Sequence, residues 1–193
     1  MANFQFYGKI EHTEKTITDL YRAQYHAYEK PQMLLWMAVG FVLILITAFS
    51  NLPIWAKGAL LLVGGWMVVS MDFPAQVRAD RAVDVRRGNL PKMEYEFHKD
   101  AMKVSGEGSM NISYKKIERL TEDKEYLYLF MGKESMCMID RSTIKPKSAE
   151  EFKEFLAKKT NLDWQNEKSL LLFNLADVIL MVDNKNKKSK KKK

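Results

Sequence analysis

The chain has 193 residues, 47% hydrophobic, 28% charged and 11% aromatic, with one cysteine, Cys137, and a formal net charge of +7. These values exclude a wholly disordered chain, a collagen-like repeat and a disulfide-stapled secreted module. Seven of the 31 basic residues are lysines within positions 185–193, and without them 24 basic side chains balance 24 acidic ones, so the excess charge belongs to the tail.

In chain order, Phe4, Phe6 and Ile10 alternate with Gln5, Tyr7 and Lys9, which predicts a short strand. Thr13 to Lys30 contains no Gly or Pro and reads as a helix ended by Pro31. Its Ile17, Tyr21, Tyr25 and Tyr28 fall on one face, a packing surface rather than a ligand-stacking site. Residues 1–31 thus form an N-terminal strand and amphipathic helix.

Residues 31–56 carry no charge, and Met33 to Ser50 is the densest apolar run. As a helix, that run would measure about 27 Å, against a hydrocarbon core of about 30 Å. A second apolar run, Ile54 to Met71, is interrupted only by Lys57, whose stem can lie in hydrocarbon while its amine reaches the headgroups. The first run has no polar face, and a chain this short could not enclose two such helices. Residues 32–72 are therefore expected to be a transmembrane hairpin, with spans at 33–50 and 54–71. A cleavable signal peptide is not expected, since about 30 ordinary residues come first and the run exceeds the usual 7–15 apolar residues.

Lys15, Arg22 and Lys30 precede the hairpin and Arg78, Arg81, Arg86 and Arg87 follow it, whereas the connecting loop offers only Lys57. The positive-inside rule then puts both ends in the cytoplasm, as an even number of spans requires. A turn near 52–53 pairs residues whose numbers sum to about 105, which brings Gly40 opposite Gly65, with Gly64 alongside, as the hairpin-packing residues. Trp36, Trp55 and Trp66 sit mostly toward span ends, as interfacial aromatics do.

Residues 73–90 form a polar connecting helix, Pro74 to Asn89, started by Pro74 and stopped by Gly88. Its Arg78, Arg81, Arg86 and Arg87 are the expected contacts with anionic headgroups. From Leu90 the period changes to two: Met93, Tyr95 and Phe97, then Met102 and Val104, then Met110, Ile112 and Tyr114, with Thr121 to Lys124 as a turn. Glu125 to Met131 is apolar on both faces, and Ser135 to Ile139 forms the last strand of the meander. Ser148 and Glu151 make a capping box, and Phe152, Phe155 and Leu156 supply the apolar face of a closing helix. The fold class expected is a membrane α+β protein: a two-helix transmembrane hairpin plus a cytoplasmic antiparallel sheet or partial barrel over 91–160, closed by one amphipathic helix.

The runs YEFHKDAMKV (95–104), NISYKKIERL (111–120), EYLYLF (125–130) and EEFKEFLAKK (150–159), set behind a strand, a helix and a membrane hairpin, resemble the YcxB-like bacterial membrane proteins. The resemblance spans about residues 1–160. It implies a cytoplasmic domain akin to pleckstrin-homology-like folds in the bacterial plasma membrane, and it brings no activity and no functional residues. Beyond it lie an apolar extension, 161–184, and a disordered lysine tail, 185–193. Leu170 to Val182 would be about 20 Å as a helix, too short for a span, which leaves a segment docked on the domain or an interfacial helix.

His12, His26 and His98 have no metal-site spacing, Cys137 lies in a strand-like run, and SGEGS (105–109) lacks the lysine and helix of a phosphate loop. No catalysis, metal or cofactor is expected. The expected function is that of a membrane-anchored adaptor with a protein partner, resting on an anionic bilayer that Lys187, Lys188, Lys190 and Lys191 of the tail also touch. The alternative is a tethered nucleic-acid or ribosome contact through that tail, disfavoured because no aromatics interleave its lysines. Transport by two spans would require a homo-oligomer, which the sequence leaves open.

Overall fold

The computed structural model describes residues 4–166. The extension from 167 onward and the lysine tail, including Lys187, Lys188, Lys190 and Lys191, lie outside the described residues.

The first strand, β1 (Phe6–Glu11), buries Phe6, Gly8 and Ile10 on one face, as its alternation requires. Helix α1 (Glu14–Tyr28) follows at once. Thr13 and Thr16 exchange side-chain-to-backbone hydrogen bonds at its start, which satisfies two orphan amides. The predicted aromatic face is reproduced in part: Ile17 and Tyr25 are buried, Tyr21 and Tyr28 half-buried, and Thr16, Leu20, Ala23 and Gln24 complete the packed surface.

Pro31 does not end the helical path. The chain breaks only at Glu29, and α2 (Lys30–Phe49) begins beside Pro31 at a first-turn position, where a missing amide costs nothing. Helix α3 (Ile54–Val69) returns along α2, and only Met33 and Gly40 of α2 and Gly64 and Met67 of α3 are buried. Everything else on the pair is wholly or partly open, with Phe49 at 85%, Ile54 at 89%, Trp55 at 75% and Leu62 at 76% exposure. Among the described residues, α2 alone is long and apolar enough to cross a membrane, with mean hydropathy 2.2. Helix α3 qualifies only together with α4 (Phe73–Arg86), from which it is bent by 57°.

Helix α4 packs on α1 through Ala75 and Ala79. It ends at Arg87, itself left-handed at φ 49°, with Gly88 following at φ 75°.

Two four-stranded sheets complete the fold. The first runs β1, β2 (Lys92–Phe97), β3 (Ala101–Ser105), β4 (Ser109–Ser113), antiparallel throughout, with Phe6 opposite Phe97 and Glu11 opposite Lys92. The second has the order β7 (Met136–Asp140), β6 (Tyr126–Phe130), β5 (Arg119–Glu122), β8 (Trp164–Asn166). Its β5–β8 pair is parallel and the rest antiparallel. Neither sheet closes into a barrel. The two meet where β1 passes β7. A Cβ on Gly8 would come within 2.7 Å of Ile139 Cγ2, and Tyr7 bridges to Lys145.

The sequence reading needs three further corrections here. Tyr114 lies in a 3₁₀ turn (Tyr114–Lys116) rather than in a strand. Thr121 and Glu122 are strand residues rather than turn residues. Residues 164–166 add a strand where only an apolar extension was expected.

Helix α5 (Ala149–Thr160) starts at Ser148, whose hydroxyl accepts from the Glu151 amide at 3.2 Å. Its Phe152 meets Phe97 edge-on at 4.7 Å between ring centroids and Phe6 at 5.4 Å, so the helix covers the first sheet. The main core contains residues of both sheets, α1 and α5. A separate small cluster of Tyr25, Met33, Met71 and Ala75 sits where α1, α2, α3 and α4 converge.

Candidate membrane-interface site

The convergence of the four helices gathers two clusters of charged side chains. Glu29, between α1 and α2, is only 7% exposed. Arg78 of α4 donates to it from both terminal nitrogens, Nη1 to Oε1 at 2.7 Å and Nη2 to Oε2 at 3.0 Å. Lys133, in the turn between β6 and β7, adds a contact from Nζ to Oε1 at 2.8 Å. The paired hydrogen bonds from Arg78, helped by Lys133, overcome burial and hold the Glu29 carboxyl down at about 2. The Arg78 guanidinium also lies 5.9 Å from the centre of the Tyr25 ring.

A second cluster stands one turn away. His26 Nε2 lies 2.7 Å from Asp72 Oδ1, and Arg22 Nε lies 3.3 Å from Asp72 Oδ2. Burial pushes the Asp72 carboxyl up, but the His26 hydrogen bond and the charges of His26 and Arg22 outweigh it and keep the group below its ordinary value. The sheet side grips the same helix end. The Gln24 amide donates to the Lys133 carbonyl, Arg119 donates to the Ala27 carbonyl at 2.5 Å, and the Arg119 guanidinium sits 4.8 Å over the Tyr28 ring. This geometry positions one element against another by charge.

The four arginines expected to touch headgroups fall into different settings. Arg78 is engaged as described, and Arg86 pairs with Glu107 at 2.9 Å. Arg81 and Arg87 are exposed and have no ion pair among the described residues. Of the three glycines, Gly40 and Gly64 face each other: a Cβ on either would lie 2.8 Å from the other's carbonyl oxygen. Gly65 points into open space, because the helices pair at a sum of 104 rather than 105.

Sequence reasoning missed Glu29, Asp72 and Lys133. Glu29 had a readable signal as the last acid before the uncharged stretch. Lys133 had none, because its partner is about a hundred residues away in the chain. Among the described residues no group of three or more His, Cys, Asp or Glu could hold a metal ion. Cys137 is buried, and burial pushes its thiol up to about 12.

No curated protein and no solved structure matches the chain. Residues 97–156, from the end of β2 through most of α5, match the family model described as YcxB-like protein, so this part of the chain is similar to a YcxB-like domain.

Proposed function

We propose that the chain is a two-span integral membrane protein that holds its YcxB-like domain at the cytoplasmic face as a non-catalytic binding module. The observation that carries this reading is the apolar exposure of α2 and α3 on every side except their mutual contact and the end that meets α1 and α4, next to a domain whose core is filled in the ordinary way. In water, two such helices would present a far larger apolar patch than a soluble monomer tolerates. Because α3 is packed along α2 and is just as apolar outward, a bilayer that takes one takes both. The arginines and lysines flanking the pair, set against the single Lys57 near the loop, favour a cytoplasmic domain.

The binding-module reading draws on the domain's own surface. Strand β4 is an outer strand of its sheet, and its Met110 side chain is exposed, which suits the addition of a partner strand. The buried Cys137 thiol and the largely buried His12 ring are packed groups rather than reactive ones. A pleckstrin-homology-like relationship for the two open sheets and their covering helix belongs to the same reading.

Topology is tested in intact cells with a membrane-impermeant maleimide. Pro53→Cys is expected to react from outside, and Lys99→Cys only after permeabilisation. Labelling of position 99 in intact cells would reverse the orientation. The module reading is tested with a photo-crosslinking residue at Met110. A discrete protein adduct there, absent from a control at Lys124, is the expected result, and no adduct at any domain position would refute it.

A further inference from the structure

We infer that the turn between β6 and β7, residues 131–135, lies in the headgroup layer and that Lys133 contacts lipid phosphate there. The inference rests on the membrane reading above and deepens it. Helix α2 has 20 residues, so it is about 30 Å long and matches the hydrocarbon core end to end. Its first residue, Lys30, then stands at the boundary, and Glu29 stands just beyond it among the headgroups. Lys133 Nζ is 2.8 Å from Glu29 Oε1, and the Gln24 side chain holds the Lys133 carbonyl from the same helix end. The turn cannot leave the headgroup layer without breaking those contacts.

Charge points the same way. Arg78 and Lys133 share the one carboxylate of Glu29, so the cluster has one cation more than it neutralises. Arg78 has both terminal nitrogens committed to Glu29, whereas Lys133 keeps 57% of its side chain exposed and has donors to spare. Lys30, next to Glu29 in the chain, is exposed as well. A phosphate diester of an anionic lipid is the ligand this arrangement fits. By contrast, the turn between β5 and β6 meets α1 at its far end, where Lys15 pairs with Glu125. Fourteen residues of helix separate Lys15 from Glu29, which is about 21 Å.

The test uses the full-length protein in phosphatidylglycerol vesicles, with a fluorophore placed singly at Ser135→Cys, Lys124→Cys or Leu45→Cys. Headgroup-attached quencher lipids are expected to quench position 135 several-fold more than position 124. Acyl-chain quenchers are expected to quench position 45. Quenching at 135 should be stronger in phosphatidylglycerol than in phosphatidylcholine vesicles, and Lys133→Gln should remove that difference. Equal quenching at 135 and 124, with position 45 quenched, overturns the inference and leaves the membrane reading standing. An unquenched position 45 overturns both. No difference between the two lipids, or a difference that Lys133→Gln leaves untouched, refutes the phosphate contact.

Discussion

Glu29 and His12 make the protein sensitive to acid for opposite chemical reasons. Glu29 is held at about 2, chiefly by Arg78, against an ordinary value of 4.5. His12 is lowered from 6.5 to about 4 by burial, with a smaller push from Arg86. In both cases the unfolded chain binds the proton more readily, so stability rises with pH. The His12 contribution is expected to fade between about pH 6.5 and 4, a loss on the order of 2–3 kcal/mol, and that of Glu29 between about pH 4.5 and 2. Melting curves of the detergent-solubilised protein against pH check this, and His12→Asn should flatten the upper part. Glu29→Gln at pH 7 is expected to cost about 1–2 kcal/mol, less than a fully enclosed pair, because Arg78 and Lys133 are half-exposed. Cys137, with its thiol raised to about 12, is expected to have a thiolate population at pH 8 on the order of 10³-fold below that of an exposed cysteine. Alkylation of the native protein that is as fast as in denaturant would contradict it.

At the scale of elements, the hairpin contact depends on two glycines and is indifferent to a third. At Gly40 and Gly64 the atom met by a new Cβ is a backbone carbonyl, which cannot swing aside, so the helices would have to separate. Gly40→Ala or Gly64→Ala is expected to destabilise the pair by about 1–3 kcal/mol, and Gly65→Ala to stay within about 0.5 kcal/mol. Detergent-resistance melts of the three variants decide it, and equal effects at 64 and 65 would refute the register. That register shows the limit of sequence reading here. The hairpin turn was legible from Asn51 to Pro53, but one residue of uncertainty in the turn exchanges Gly64 for Gly65. Local patterns served well elsewhere: the Thr13 and Ser148 starts, the alternation of β2 and β3, and the all-apolar β6, which is central in its sheet. Long-range pairing left no local mark, so β8 beside β5 and Lys133 beside Glu29 were not legible.

For the whole molecule, the matched region 97–156 is smaller than the folding unit. It omits β1, most of β2, and α1, although Phe6, Ile10, Leu20 and Ala23 belong to the main core. A fragment of residues 97–156 is expected to be insoluble or unfolded. Replacing residues 31–71 with a short flexible linker should leave a water-soluble protein with native-like β1–β2 pairing, because α1 and α4 still pack together. Amide exchange of Tyr95 and Phe97 checks the linker variant and that of Met102 and Leu129 checks the fragment, and a cooperatively folded 97–156 fragment would contradict the first expectation.

The pairing of Glu11 with Lys92 joins segments that lie on either side of the hairpin, roughly 80 residues apart. A ribosome adding about 5–20 residues per second reaches β2 roughly 4–16 s after finishing β1. Throughout that interval β1 has no partner strand, while the two most apolar helices emerge. The first sheet is therefore completed only after both apolar helices have been made, so its closure reports that the segments on either side of them have come together.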